Sequence, residues 1–113
     1  MESDTNKSLK INIDNYSGPI EVLLDLAKAQ KVDLANISIT QLADQFIEFI
    51  NSVKKINLEI ASEYLLMATW LAYLKSKLLL PEDDEEFKAV EVAEKLKLQL
   101  KKLELIRLLS DQL

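Results

Sequence analysis

The sequence contains no cysteine and no histidine. Without cysteine there is no disulfide framework and no thiolate metal site. Without histidine the usual zinc sites, the cysteine or serine nucleophiles paired with an imidazole, and imidazole acid/base chemistry all fall away. Glycine occurs once and proline twice, too few for the many turns of a sheet protein. Basic residues are in deficit, the formal net charge being -5, and no basic stripe of the kind that binds nucleic acid directly is visible. The first residues, Met-Glu-Ser-Asp-Thr-Asn-Lys-Ser, have no basic stretch followed by an apolar one, so no secretory signal is read and a reducing cytoplasm is the simplest setting. What remains is 113 residues, 49% of them hydrophobic: enough for one small core, in an all-α chain.

The helices can be placed by their starts, stops and apolar spacing. Residues 1–15 form a polar arm in which Leu9, Ile11 and Ile13 alternate, a pattern compatible with a loose end or a strand added to a partner's sheet. Gly18-Pro19 with Glu21 marks a first helix that ends near Gln30-Lys31. Leu23, Leu24, Leu26 and Ala27 are its buried side. A turn follows, pinned by Leu34 and Ile37. Ser38 and Gln41 read as a capping box for a second helix, and Ile37 and Leu42 as its hydrophobic staple. Ile39, Leu42, Ala43, Phe46, Ile47, Phe49, Ile50 and Val53 make its apolar face, and the helix is expected to stop around Lys54-Lys55. Asn57 is the expected cap of a third helix that Pro81 halts.

That third helix is apolar on too many sides. From Tyr64 to Leu74 every residue except Thr69 is apolar or aromatic. The run is shorter than the roughly 18 to 20 residues a bilayer requires, so a membrane span is excluded. Ile60, Tyr64, Met67, Leu71, Leu74 and Leu78 form one stripe, with Ala61, Leu65, Ala68, Ala72 and Leu79 beside it; both are expected to face inward. Leu66, Trp70 and Tyr73 are left over. Either the first helix or the arm covers them, or they are anchors for a partner. Beyond the acidic break Glu82-Asp-Asp-Glu-Glu86, a fourth helix is expected over about 86 to 109. It carries two apolar stripes: Ala93, Leu96, Leu100 and Leu103, and Leu98, Leu105, Ile106 and Leu109. A helix so built is not expected to belong wholly to the first bundle.

No catalytic constellation emerges. Gly18 stands alone, so there is no phosphate-cradling loop, and the acidic run lacks EF-hand spacing. Asp44 and Glu48, one turn apart, are read as a solvated helix face. Tyr64, Trp70 and Tyr73 have no basic groove beside them in which bases would stack. No cofactor or metal is expected.

Several ordered motifs resemble one family. Tyr16-Ser-Gly-Pro-Ile-Glu-Val-Leu-Leu24 resembles the F-x-G-P-L-D-L-L-L opening of segregation and condensation protein A, the bacterial kleisin. Val32-Asp-Leu-Ala-Asn-Ile-Ser-Ile39 resembles its L-D-I-x-x-I-x-I turn. Leu58-Glu-Ile-Ala-Ser-Glu-Tyr-Leu-Leu-Met-Ala68 and Leu74-Lys-Ser-Lys-Leu-Leu-Leu-Pro81 resemble its L-E-x-A-S-E-F-L-x-M-A and I-K-S-R-x-L-L-P segments. The likeness covers roughly residues 16 to 81 and, more weakly, Leu98 to Arg107. Lys77 stands where the family pattern has Arg, and Trp70 is bulkier than the usual residue.

The resemblance implies a non-enzymatic subunit of a bacterial condensin. Its N-terminal domain would pack on the coiled-coil neck of a structural-maintenance-of-chromosomes ATPase, and its middle segment would meet segregation and condensation protein B. A C-terminal winged helix would close the ring, with DNA held only through the complex. On this reading 1–15 is an arm, 16–81 the N-terminal helical domain, 82–87 an acidic linker and 88–113 the start of the middle segment, the whole being an N-terminal fragment. Tyr64, Leu66, Met67, Trp70 and Tyr73 are the expected neck contacts, and Leu98, Leu105, Ile106 and Leu109 the expected contacts of protein B. The alternative is a self-associating helical adaptor; a small enzyme using exposed carboxylates would need a polar cleft.

Overall fold

The computed structural model describes residues 16–56, 59–80 and 88–111. Among them every regular element is helical: α1 (Pro19–Lys28), a 3-10 turn (Leu34–Asn36), α2 (Ile39–Ile56), α3 (Ser62–Leu79) and α4 (Ala89–Asp111). The arm with Leu9, Ile11 and Ile13, the expected cap Asn57, and the acidic run at 82–86 lie outside the described residues.

Proline at the first turn and Glu21 behind it start α1. Glu21 is clasped from the preceding turn: the Ser17 amide donates to its Oε1 at 3.1 Å and the Ser17 hydroxyl to its Oε2 at 2.6 Å. These bonds favour the carboxylate and hold its pKa below the ordinary 4.5. The helix ends as Lys31 turns left-handed, with φ 59, a conformation that closes helices well but suits glycine better. Gln30, just before it, spans the loop to α2. Its Oε1 accepts from the Ser38 amide at 2.9 Å, and its Nε2 donates to the Ser38 carbonyl at 3.1 Å and to Gln45 Oε1 at 3.0 Å. Gln45 in turn donates to the Leu26 carbonyl at 3.0 Å.

The capping box expected at Ser38 is therefore shared differently. The Ser38 hydroxyl caps the Gln41 amide at 3.1 Å, as anticipated. The reciprocal bond to the Ser38 amide comes from Gln30 rather than from Gln41, because the end of α1 lies within reach. α2 runs on to Ile56, slightly past the expected stop. α3 starts at Ser62, later than Asn57 would have placed it, with Ala61 at the cap and no side-chain cap bond. Leu80, held out of the helical region by the proline that follows it in sequence, ends it.

α3 packs chiefly on α2, while α4 lies across α1, the 3-10 turn and α3. Phe46, Leu23, Leu24, Leu42, Leu71, Leu74 and Leu100 are fully buried, so all four helices feed one core. α4 is seated by its Ala93, Leu96 and Leu100 stripe, with Leu103 half-buried; its second stripe stays outside. The fourth helix is thus partly a member of the bundle and partly unpartnered, as its two stripes implied.

Polar groups tie the seam between α4 and α1. Arg107 Nη1 donates to Asp25 Oδ1 at 2.9 Å, Lys28 Nζ lies 3.4 Å from Glu104 Oε2, and Tyr16 is hydrogen-bonded to Asp25 as well. Partial burial, followed by that bond and the nearby carboxylate charge, pushes the Tyr16 phenol up to about 12 from the usual 10.0. Asp25 in turn raises the already high pKa of Arg107. Across the other seam, Lys75 Nζ sits 2.6 Å from Asp44 Oδ1.

Two outcomes follow. Lys31→Gly relieves the left-handed strain and, allowing for the freer unfolded chain, stabilises the fold by about 1 kcal/mol, read as a rise in thermal midpoint. The fold favours the protonated Tyr16 phenol, so its contribution is complete below pH 10 and is lost as pH rises towards 12. In urea titrations at stepped pH, the stability gap between the chain and Tyr16→Phe narrows over that window. The Glu21 contribution has the opposite sign: it is present above pH 4.5 and disappears as pH falls below.

Candidate partner-binding surface

One revolution of α3 divides into a covered arc and an open one. Tyr64, Leu71 and Leu74 are buried, and Ile60, Met67, Ala68 and Leu78 pack against them at the edges. At 100° per residue these span only about a third of the circumference. The remaining arc is exposed: Leu65, Leu66, Thr69, Trp70, Ala72, Tyr73, Ser76 and Leu79. Leu66 is 69% exposed, Tyr73 47% and Trp70 36%, so neither α1 nor α4 covers the leftover set.

Two expectations need correction. Ala61, Leu65, Ala72 and Leu79 face outward, not inward. The three neighbouring helices have room to cover one stripe of α3, and only Ala68 of the second stripe reaches the core. Tyr64, expected at the border of the partner surface, is 6% exposed and belongs to the core. Met67 is half-buried, at the edge.

Charge is nearly absent from the open arc. Glu63 stands in the first turn and Lys77 in the last, where each complements the helix dipole. The Lys77 ammonium lies 5.5 Å from the centre of the Tyr73 ring, within cation–π range. Thr69 donates its hydroxyl proton back to the Leu65 carbonyl at 3.0 Å, so its one donor is already used within the helix. Beside Trp70 the surface dips into an open groove of about 470 Å³ lined by Pro19, Ile20, Leu66, Met67, Leu96 and Gln99 among others.

The second candidate surface is an outer ridge on α4. Leu98, Leu105, Ile106 and Leu109 are each more than half exposed, as is Leu108. Leu98, Leu105 and Leu108 line a shallow depression with Asp33, Leu34 and Ala35 of the 3-10 turn. Ile106 and Leu109 lie outside that depression.

The titratable groups that meet among the described residues, Tyr16, Asp25 and Arg107 with Lys28 and Glu104 nearby, are paired with one another along the seam of α1 and α4. Asp44, considered with Glu48, is engaged by Lys75. Among the described residues no group of three or more acidic side chains could hold a metal ion, and no helix is long and apolar enough to cross a membrane.

Residue reasoning missed the outward turn of Leu65 and Leu79, the share of α1 and α4 in the groove, and the pairing of Arg107 with Asp25. Arg107 is the only arginine among thirteen lysines, and that singularity was the available signal. A fixed guanidinium suits a carboxylate partner better than a lysine does.

The fold and surface define a class: a small all-α bundle with a broad apolar face that no other described residue covers. The chain belongs to the family of segregation and condensation protein A, since the model of the family Segregation and condensation protein ScpA matches residues 26–110. The match runs through α4 as well as the first three helices. The chain is 44% identical over 79 residues to segregation and condensation protein A of Clostridium acetobutylicum, covering 70% of this chain and 32% of that one. It is 44% identical over 82 residues to the Mycoplasma mobile protein of the same name, covering 70% and 33%. Against that of Myxococcus xanthus it is 39% identical over 77 residues, covering 68% and 27%. The chain thus spans about a third of the length of the first two relatives.

Proposed function

We propose that this chain is the N-terminal part of a bacterial kleisin, a non-enzymatic cytoplasmic subunit that acts in chromosome condensation and segregation. The open arc of α3 lies on the coiled-coil neck of a structural-maintenance-of-chromosomes ATPase, with Leu66, Trp70 and Tyr73 as anchors and Met67 at their edge. The outer ridge of α4, with Leu98, Leu105, Ile106 and Leu109, meets segregation and condensation protein B. Residues 16–81 act as the neck-binding domain and 88–113 as the start of the segment that protein B holds. DNA is reached only through the assembled ring, in keeping with the net charge of -5.

The observation that carries this reading is the exposure of Leu66, Trp70 and Tyr73 on a helix whose other side is in the core. A coiled coil offers long apolar ridges of its own, and helix-on-helix docking uses anchors one turn apart, as these are. Large apolar and aromatic side chains at the middle of such a contact carry most of its free energy.

The test is binding of the chain to an ATPase head-plus-neck fragment. The unaltered chain binds. Leu66→Asp, Trp70→Asp and Tyr73→Asp combined weaken binding by at least about a hundred-fold, since each anchor is worth on the order of 2 kcal/mol. Circular dichroism checks that the variant keeps its helices. Full binding by a folded triple variant would remove the face assignment. Sedimentation covers the other occupant of the face: a stable homodimer over a wide concentration range, with no affinity for the neck, would make the chain a self-associating adaptor.

A further inference from the structure

Part of the open arc of α3 has a regular spacing. Glu63, Leu66, Trp70, Tyr73 and Lys77 follow one another at steps of three and four residues. At about 100° per residue they fall on one strip about 80° wide. The first four are exposed and Lys77 is half-buried, so the strip stands outside the core along its whole length. Alternating steps of three and four are those of a coiled-coil seam, in which one helix packs along another. Leu65, Ala72 and Leu79 lie outside the strip.

The strip is complementary to itself. Trp70 is its midpoint, seven residues from Glu63 and seven from Lys77. Leu66 stands four residues before Trp70 and Tyr73 three after. A second copy of α3 laid antiparallel, with a two-fold axis passing at Trp70, meets the same residues in reverse order. Each Glu63 then comes opposite the Lys77 of the other copy, and each Leu66 opposite its Tyr73. The two Trp70 rings meet at the centre. Unlike charges face each other at both ends, and what lies between is apolar and aromatic. A parallel copy would set like charges against each other at both ends, which is unfavourable. A two-fold contact of one patch with itself is the commonest way in which copies of a chain associate.

We propose that the free chain pairs with a second copy of itself, antiparallel, through this strip, and that the homodimer hides the face given above to the ATPase neck. This rests on the function proposed above and adds its regulation. Leu66, Trp70 and Tyr73 cannot be buried against the neck and against a second copy at once. Removal of their apolar surface from water drives the pairing. The Glu63–Lys77 pairs at the rim contribute little affinity and select the antiparallel orientation. Neck binding is therefore coupled to dissociation of the homodimer, and by mass action a higher concentration of the chain weakens its apparent affinity for the neck.

Sedimentation over a concentration series reads the pairing, and the fluorescence of Trp70, the single tryptophan, reads burial at its centre. The unaltered chain moves from monomer towards dimer as concentration rises, and its emission shifts to shorter wavelength in step. Glu63→Lys and Lys77→Glu each set like charges together at both ends and weaken pairing about ten-fold, the scale of two rim contacts turned from attraction to repulsion. Circular dichroism checks that both stay helical. Mixed in equal amounts, or combined in one chain, the two reversals pair as the unaltered chain does. Added head-plus-neck fragment converts the dimer into a complex holding one copy of the chain per neck. A chain that stays monomeric up to its solubility limit, or a dimer indifferent to both single reversals, would overturn the pairing. Failure of the mixture and of the combined variant to pair would overturn the antiparallel register. A dimer that persists intact on the neck would overturn the competition. A chain that pairs but does not bind the neck would remove the proposed function and leave the pairing standing, so the two failures are told apart.

Discussion

Three neighbours cannot cover a helix that is apolar on too many sides. That constraint shapes the whole chain. α3 needs burial around most of its circumference, and α1, α2 and α4 reach about a third of it. They do so with large side chains in close packing: Phe46 and Leu42 from α2, Leu23 and Leu24 from α1, Leu100 from α4, against Leu71 and Leu74. The result is a firm core on one side of α3 and an uncovered apolar arc on the other. Neither could change without the other, because a residue on α3 belongs to one arc or the other by its position in the helical turn.

The polar interactions do a different job from the core. None of the described buried side-chain nitrogen or oxygen atoms lacks a hydrogen-bond partner, and the bonds that cross between elements lie at the seams. Gln30, Ser38 and Gln45 fix the loop joining α1 to α2. Asp44 and Lys75 fix α2 to α3. Asp25, Arg107 and Tyr16 fix α4 to α1. Such partly exposed contacts add little stability each. They choose one packing among several that a leucine-rich core would tolerate almost equally well, since apolar contacts carry little direction.

The helical order was legible because its signals are local. Pro19 starts α1 at the position proline favours, Ser38 caps α2, and the apolar spacing of α2 has one clear face. Leu66, Trp70 and Tyr73 were legible as a leftover set for the same reason. Leu65 and Leu79 were not. On a helix whose polar residues are few and scattered, periodicity cannot say which stripe faces inward; the crossing of α3 with α2 decides it, and that is a tertiary fact. The partnership of Arg107 with Asp25 spans 82 positions, beyond any spacing rule. The same distance hid the groove, whose walls come from three helices.

The placement of charge on α3 bears on how the open arc is used. From residue 64 to residue 74 there is none. Glu63 and Lys77 sit at the two ends, each serving the helix dipole, and Lys75 is turned to Asp44. A partner helix laid along the middle of the arc would strip water from apolar side chains and from no ion. Desolvating even a paired charge can cancel the attraction gained from it, so a surface without charges converts burial into affinity with little loss. The price is weak discrimination, since apolar contact alone does not read orientation. Glu63 and Lys77, opposite in sign at the two ends of the arc, are where orientation can be read, through attraction between unlike charges and repulsion between like ones.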